Sequence, residues 1–147
     1  MNYDDRELLA RLIQCEAGGE GEDGMRAVAT VVMNRVRASS GEYLRTGNGE
    51  LRNIVFQPGQ FDCATTSLRG VHNPQNIYNM SPDQIHYDIA DWALAGGIMP
   101  GVDESLWFYN PYSSDCREIF PVNGSGVIHN RINQHCFYRP TEKYQVT

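Results

Sequence analysis

Two apolar stripes at helical spacing, joined by a glycine-rich break, constrain this chain more than any other feature. The first is Leu9, Leu12 and Ile13; the second is Met25, Val28, Ala29, Val32 and Val36. Both follow the 3.6-residue period of a helix that buries one face. Asp4 with Glu7 three residues on resembles a capping box, so the first helix is expected from just after Asp4 to about Glu16. The second is expected from about Glu22 to Val36. Acidic residues open it and Arg35 and Arg37 close it, as the helix dipole favours. Gly18-Gly19-Glu20-Gly21 lies between them, which predicts a helical hairpin.

The first stripe carries an anomaly. Continued past Leu9, Leu12 and Ile13 by one more turn, it arrives at Glu16. A carboxylate is costly to bury unless it is paired or protonated. Desolvation raises its pKa toward neutrality, which is what a general acid needs. Gly18-Gly19 leaves little side-chain bulk beside it. Spacing alone leaves three readings open: an exposed last turn, a structural ion pair with a Lys or Arg, and a catalytic acid.

At 147 residues the chain is expected to be a single domain, 1–147, long enough for a core of its own. Its formal charge of −6 argues against a general nucleic-acid binder. No run approaches the ~20 apolar residues of a membrane span. The opening residues, Met1-Asn2-Tyr3-Asp4-Asp5-Arg6-Glu7, are acidic and do not read as a signal peptide. Cys15, Cys63, Cys116 and Cys136 are widely separated and form no Cys-x-x-Cys, which argues against a structural zinc site. Cys15, beside the candidate acid, is expected to be a buried free thiol. Cys116 and Cys136, in the polar C-terminal region, are the better candidates for a disulfide.

Ala38 to Glu50 reads as a surface loop, followed by a short helical turn at Leu51 to Val55 and by the turn Gln57-Pro58-Gly59, which presents Gln60 and Phe61. Asp62 to Asn79 reads as irregular. Ser81-Pro82-Asp83-Gln84 predicts a helix start with Ser81 as N-cap, Pro82 at N1 and Gln84 at N3. Ile85, Ile89, Trp92 and Ala93 are its expected buried face, and Gly96-Gly97 its end. Leu106 to Tyr109, Val127 to His129 and His135 to Tyr138 read as strands of a small antiparallel sheet. Helices first and strands after is the α+β pattern.

Several chemistries lack their motifs. There is no Gly-x-Ser-x-Gly, no phosphate-binding glycine loop and no His-Glu-x-x-His. The four His are dispersed, so neither a metal nor a cofactor is expected. A thiol enzyme built from Cys63 or Cys136 with a His stays open as an alternative. What remains is acid chemistry led by Glu16. Glycosidases ordinarily use two carboxylates. Glu20, Glu22, Asp23, Asp62 and Asp115 are the candidate partners, and none stands out. Glu20 lies beyond two glycines and is expected to face elsewhere; Glu22 and Asp23 read as helix-start acids. A mechanism with one carboxylate, acid first and base second, is the simpler reading.

The segment Leu12-Ile13-Gln14-Cys15-Glu16-Ala17-Gly18-Gly19-Glu20, followed by Val28 to Val36, closely resembles the opening of the SleB/CwlJ cell wall hydrolases, the spore cortex-lytic enzymes. Gln57-Pro58-Gly59-Gln60-Phe61 is similar to their Gln-Pro-x-x-Phe element. Ser105 to Pro111 and Asn133 to Tyr138 are similar to their C-terminal blocks. The four blocks occur in family order over roughly residues 7 to 141. The resemblance implies cleavage of peptidoglycan glycan strands, with Glu16 as the catalytic acid, in a compact fold with a lysozyme- or lytic-transglycosylase-like groove. Gln60, Phe61, Tyr109, Asn110 and His135 are the candidate substrate contacts, Phe61 as a ring stacked on a sugar; packing and turn roles stand beside these. The chain looks closer to the CwlJ branch. That implies synthesis in the mother cell, deposition at the boundary of spore coat and cortex, and a spore coat protein as a candidate partner. A phage or vegetative lysin of the same family, and a binding module without activity, are the alternatives.

Overall fold

A computed structural model describes residues 2–147. Five helices come first: α1 (Asp5–Ala17), α2 (Gly21–Val36), α3 (Gly41–Gly47), α4 (Leu51–Val55) and α5 (Gln84–Leu94). A two-residue hairpin, β1 (Ser67–Leu68) and β2 (Val71–His72), interrupts them before α5. A three-stranded antiparallel sheet follows, made of β3 (Trp107–Tyr109), β4 (Gly126–Ile132) and β5 (His135–Pro140), in the order β3-β5-β4. This is the expected α+β arrangement.

Helices α1 and α2 form the expected hairpin. The Asp4 side chain accepts from the Glu7 backbone N–H at 2.8 Å and caps α1. Leu8, Leu9, Leu12 and Ile13 are fully buried. Helix α2 is enclosed more completely, because α1, α4 and α5 pack on it and the sheet meets it too. It therefore buries Ala27, Thr30 and Val31 as well as Met25, Val28, Ala29 and Val32 of its predicted stripe, while Val36 is half-buried. Asn34 ties α2 to the chain entering β3, donating to the carbonyls of Asp103 (2.7 Å) and Ser105 (2.9 Å).

Four expectations need correction. The segment read as a loop before Glu50 contains α3. No apolar period announces this helix; its buried ring, Tyr43, packs on Tyr144 and Trp107, and Glu42 and Arg45 bond to Thr147. The α5 cap is Asp83 rather than Ser81: the Asp83 side chain accepts from the helix, and its N–H donates to His86 Nδ1 at 2.9 Å. Ile85 is exposed, and the buried face of α5 is His86, Ile89, Ala90 and Ala93. Cys15 is not a free thiol: it is bonded to Cys63. The expected Cys116–Cys136 bridge is present.

Beyond its two-residue hairpin and two 3-10 turns, the segment 62–79 is ordered by side chains. Asn73 is buried, and its amide donates to the carbonyls of Asp62, Thr65 and Gln75 at 3.0–3.1 Å. Together with the Cys15–Cys63 bond, this fixes the 3-10 turn Asp62–Ala64 against the C-terminal end of α1. In the sheet, alternation sends Trp107, Cys136 and Tyr138 into the main core, while Phe137 joins Ala27, Val31 and Val102 in a second cluster under α2.

Candidate active site

The last turn of α1 carries Glu16 to the wall of a groove of about 510 Å³. The α1–α2 turn, Arg35 of α2, the Gln60–Asp62 segment, Gln75, Phe108 and Tyr109 of β3 with Asn110 and Tyr112 after it, and the first residue of β5 complete the lining. Glu16 is half-buried, and its pKa is raised from 4.5 to about 7. Burial is the largest cause, and the negative field of Asp62 adds to it. The Arg35 charge and a hydrogen bond from the Cys63 backbone pull the other way without winning. The stripe anomaly therefore has a physical outcome: a carboxyl that is substantially protonated near neutral pH.

Arg35 is a charged neighbour of Glu16 that the sequence marked only as a basic helix end. It is 4% exposed, and its Nε donates to the Leu106 carbonyl at 2.7 Å. Its guanidinium lies 4.7 Å from the centre of the Tyr43 ring and 5.1 Å from that of Phe61. Desolvation lowers its pKa from the ordinary value, against the opposing fields of Tyr43, Glu42 and Glu16; a guanidinium nonetheless keeps its charge inside a protein. The signal was available. Arg35 stands three residues after Val32, on a buried stripe, and is an anomaly of the same kind as Glu16.

All six predicted site residues, Glu16, Gln60, Phe61, Tyr109, Asn110 and His135, line this one groove. Their surroundings differ. Gln60 Oε1 accepts from Tyr43 Oη (2.9 Å) and Arg35 (3.3 Å), so its NH2 end is the one left to donate. Tyr109 stacks on Tyr138 and Phe120, and its hydroxyl accepts from the Arg117 N–H. Asn110 Oδ1 accepts from the Tyr112 N–H at 2.7 Å and shapes the turn after β3. Phe61 is 5% exposed with Arg35 over its ring, so it is a packing partner of that cation rather than an open sugar platform. The open ring at the groove is Tyr112, 89% exposed with φ of 53°, and no spacing in the sequence singled it out.

Glu20 also departs from expectation. The Gly18-Gly19 turn does not send it away: its Oε1 lies 3.0 Å from His135 Nδ1 on the same groove. Asp62 lines the groove with an exposed carboxylate, whereas Glu22, Asp23 and Asp115 do not line it. Every cysteine is paired, which leaves the thiol-enzyme alternative without a thiol. Among the described residues one cluster has the make-up of a cation site, Asp103, Glu104 and His129. It lies outside the groove lining and is drawn together by the 2.8 Å contact of His129 with Asp103. None of the described helices is long and apolar enough to cross a membrane.

The family profile described as Cell Wall Hydrolase matches residues 19–138, a segment that begins after Glu16. The chain is 32% identical over 139 residues to the cell wall hydrolase CwlJ of Bacillus subtilis, covering 93% of this chain and 86% of that protein. It is 30% identical to the CwlJ of Oceanobacillus iheyensis, covering 92% and 86%. Two solved structures share the fold. The catalytic domain of the Bacillus cereus SleB protein matches with a TM-score of 0.63 at 24% identity, over 94% of this chain and 93% of that one. The catalytic domain of the germination-specific lytic transglycosylase SleB from Bacillus anthracis matches with a TM-score of 0.65 at 21% identity, over 95% and 97%.

Proposed function

The chain belongs to the cell wall hydrolase family, and from that premise we propose that it cuts peptidoglycan glycan strands between muramic acid and glucosamine, with Glu16 as general acid and then base. The observation that carries this reading is Glu16 itself: a half-buried acid on an open groove, held protonated to about pH 7. Protonated Glu16 donates to the glycosidic oxygen, the bond from the muramic anomeric carbon to that oxygen breaks, and positive charge develops at the carbon. Arg35, pinned by Leu106, stabilises the carboxylate that Glu16 has become. That carboxylate then takes a proton from the group that attacks the anomeric carbon. If the attacker is water, the products are those of hydrolysis. If it is the muramic 6-hydroxyl, the product is an anhydro end. Gln60, Tyr109, Asn110 and His135 contact the strand in this reading, and Phe61 supports Arg35.

Spore cortex is the proposed substrate, in germination, with deposition at the boundary of coat and cortex and a coat protein as partner. The likeness to the two CwlJ proteins supports this. The two disulfides suit an oxidising surrounding. The test is Glu16→Gln with product analysis on purified cortex. Loss of at least about a thousandfold in kcat is expected if Glu16 supplies both proton transfers; a variant of near-normal rate would remove Glu16 from the mechanism. Anhydromuropeptides from the wild type would mark transglycosylation, and reducing muramic ends would mark hydrolysis.

A further inference from the structure

The contact between Glu20 and His135 lies on the groove but is not used by the Glu16 chemistry. Several features build it. The tip of the β4–β5 hairpin is clamped onto the α1–α2 turn: Asn133 Nδ2 donates to the Glu20 carbonyl at 2.8 Å, and the Gln134 N–H donates to Glu20 Oε1 at 3.2 Å. A Cβ at position 24 would collide with the Glu20 Cβ, so Gly24 leaves room for this placement. The two side chains are 12% (His135) and 17% (Glu20) exposed. His135 Nδ1 is sealed from solvent 3.0 Å from Glu20 Oε1, which lies off the ring N–H direction, so the close contact is not a well-aligned hydrogen bond in this structure. The edge-on Phe108 ring, 5.3 Å between centroids, holds the imidazole plane.

Chemistry then assigns the ring protons. A carboxylate oxygen can only accept, and a bare Nδ1 would set one lone pair against another. A carboxylate so placed favours hydrogen on Nδ1, which leaves Nε2 as the acceptor of the neutral ring. Nε2 bonds to no described residue, and the ring lines the groove.

We propose that Glu20 is a positioning residue that fixes the Nδ1–H tautomer of His135, so that Nε2 accepts a hydrogen bond from a donor on the bound sugar, a hydroxyl or the acetamido N–H. This deepens the peptidoglycan reading and rests on it for the identity of the sugar. Protonation turns Nε2 from acceptor into donor, which breaks a contact from the acetamido N–H and reverses one from a hydroxyl, misaligning the sugar it had oriented. Burial holds the His135 pKa below its ordinary value of 6.5, and Glu20 partly restores it. Glu20 is the charged group that acts on it; β3 contributes the Phe108 ring and β5 contributes Phe137, neither of which titrates.

Two measurements on the full chain test this. The imidazole nitrogen shifts of His135, read by NMR at neutral pH without substrate, are expected to show the Nδ1–H tautomer; the Nε2–H tautomer would overturn the proposal whether or not the protein cuts glycan. The second is the pH profile of kcat/KM on purified glycan strands. Wild type is expected to lose activity as pH falls through the His135 pKa. In His135→Gln, which does not titrate, that acid limb should vanish while the alkaline limb of Glu16 remains. In Glu20→Gln the limb should move to lower pH, with kcat/KM down about tenfold, the worth of one hydrogen bond. A merely structural pair would leave both limbs in place, and that result rejects the contact to sugar without touching the role of Glu16.

Discussion

At the scale of the residue, Glu16 sets stability against function. Its pKa is raised by folding, from 4.5 to about 7, so the folded site favours the neutral acid. Stability from this group is fully present below pH 4.5 and is lost as pH rises through 7. The loss amounts to about 3 kcal/mol. Glu16→Gln removes the titration. Denaturant melts of both proteins should therefore coincide near pH 4, and at pH 8 the variant should be more stable by up to about 3 kcal/mol. A constant difference across the range would mean that the site does not shift this acid. Asp62 offers the complementary probe, being exposed and free of side-chain hydrogen bonds to described residues. Because its field raises the Glu16 pKa, Asp62→Asn should move the alkaline limb of activity to lower pH. An unmoved limb would show that burial alone holds the proton.

At the scale of the element, the site depends on one covalent tie. Glu16 ends α1, and the backbone that hydrogen-bonds to it belongs to the 3-10 turn Asp62–Ala64. The bond between Cys15 and Cys63 joins these two elements directly beside the acid. It spans 48 residues of chain, against 20 for Cys116–Cys136. Loop-closure entropy then gives about 4 kcal/mol for the first bridge and about 3 kcal/mol for the second. The paired change Cys15→Ser with Cys63→Ser should cost the larger share of stability in urea melts. At temperatures where it is still folded, it should also cost activity more than loss of the other bridge, because it frees the turn that carries Asp62. Equal activities for the two double variants would mean that Asn73 alone holds that turn.

The elements also show where sequence could and could not be read. The α1–α2 hairpin, α4 and the three strands were legible because apolar period, cap residues and strand-like runs all act locally. Helix α3 was not, since its main apolar anchor is Tyr43 against a ring 101 residues away, Tyr144, and Glu42 and Arg45 bond to Thr147 at the far end of the chain. The site divides in the same way. Glu16 broke a local pattern and could be found; Arg35 broke one too and was read only as a charge at a helix end. The pairing of Cys15 with Cys63 and the turning of Glu20 toward His135 arise from contacts 48 and 115 residues apart, which no local pattern records.

At the scale of the whole molecule, the formal charge of −6 meets a substrate whose charge is variable. Muramic acid bearing a free lactyl group or an acidic peptide is anionic; muramic lactam is not. Two bodies of like sign repel over a Debye length, about 30 Å at 0.01 M salt and about 8 Å at 0.15 M. On an anionic wall, kcat/KM should therefore rise as salt is raised across that range, because encounter is the step that feels the long-range field. On lactam-rich cortex the same titration should be flat. Within the groove the balance differs, since buried Arg35 faces Glu16 and screening barely reaches it. Salt should act on KM and leave kcat and the alkaline limb where they are. A fall in kcat/KM with salt on either substrate would show instead that a local positive field draws the strand in.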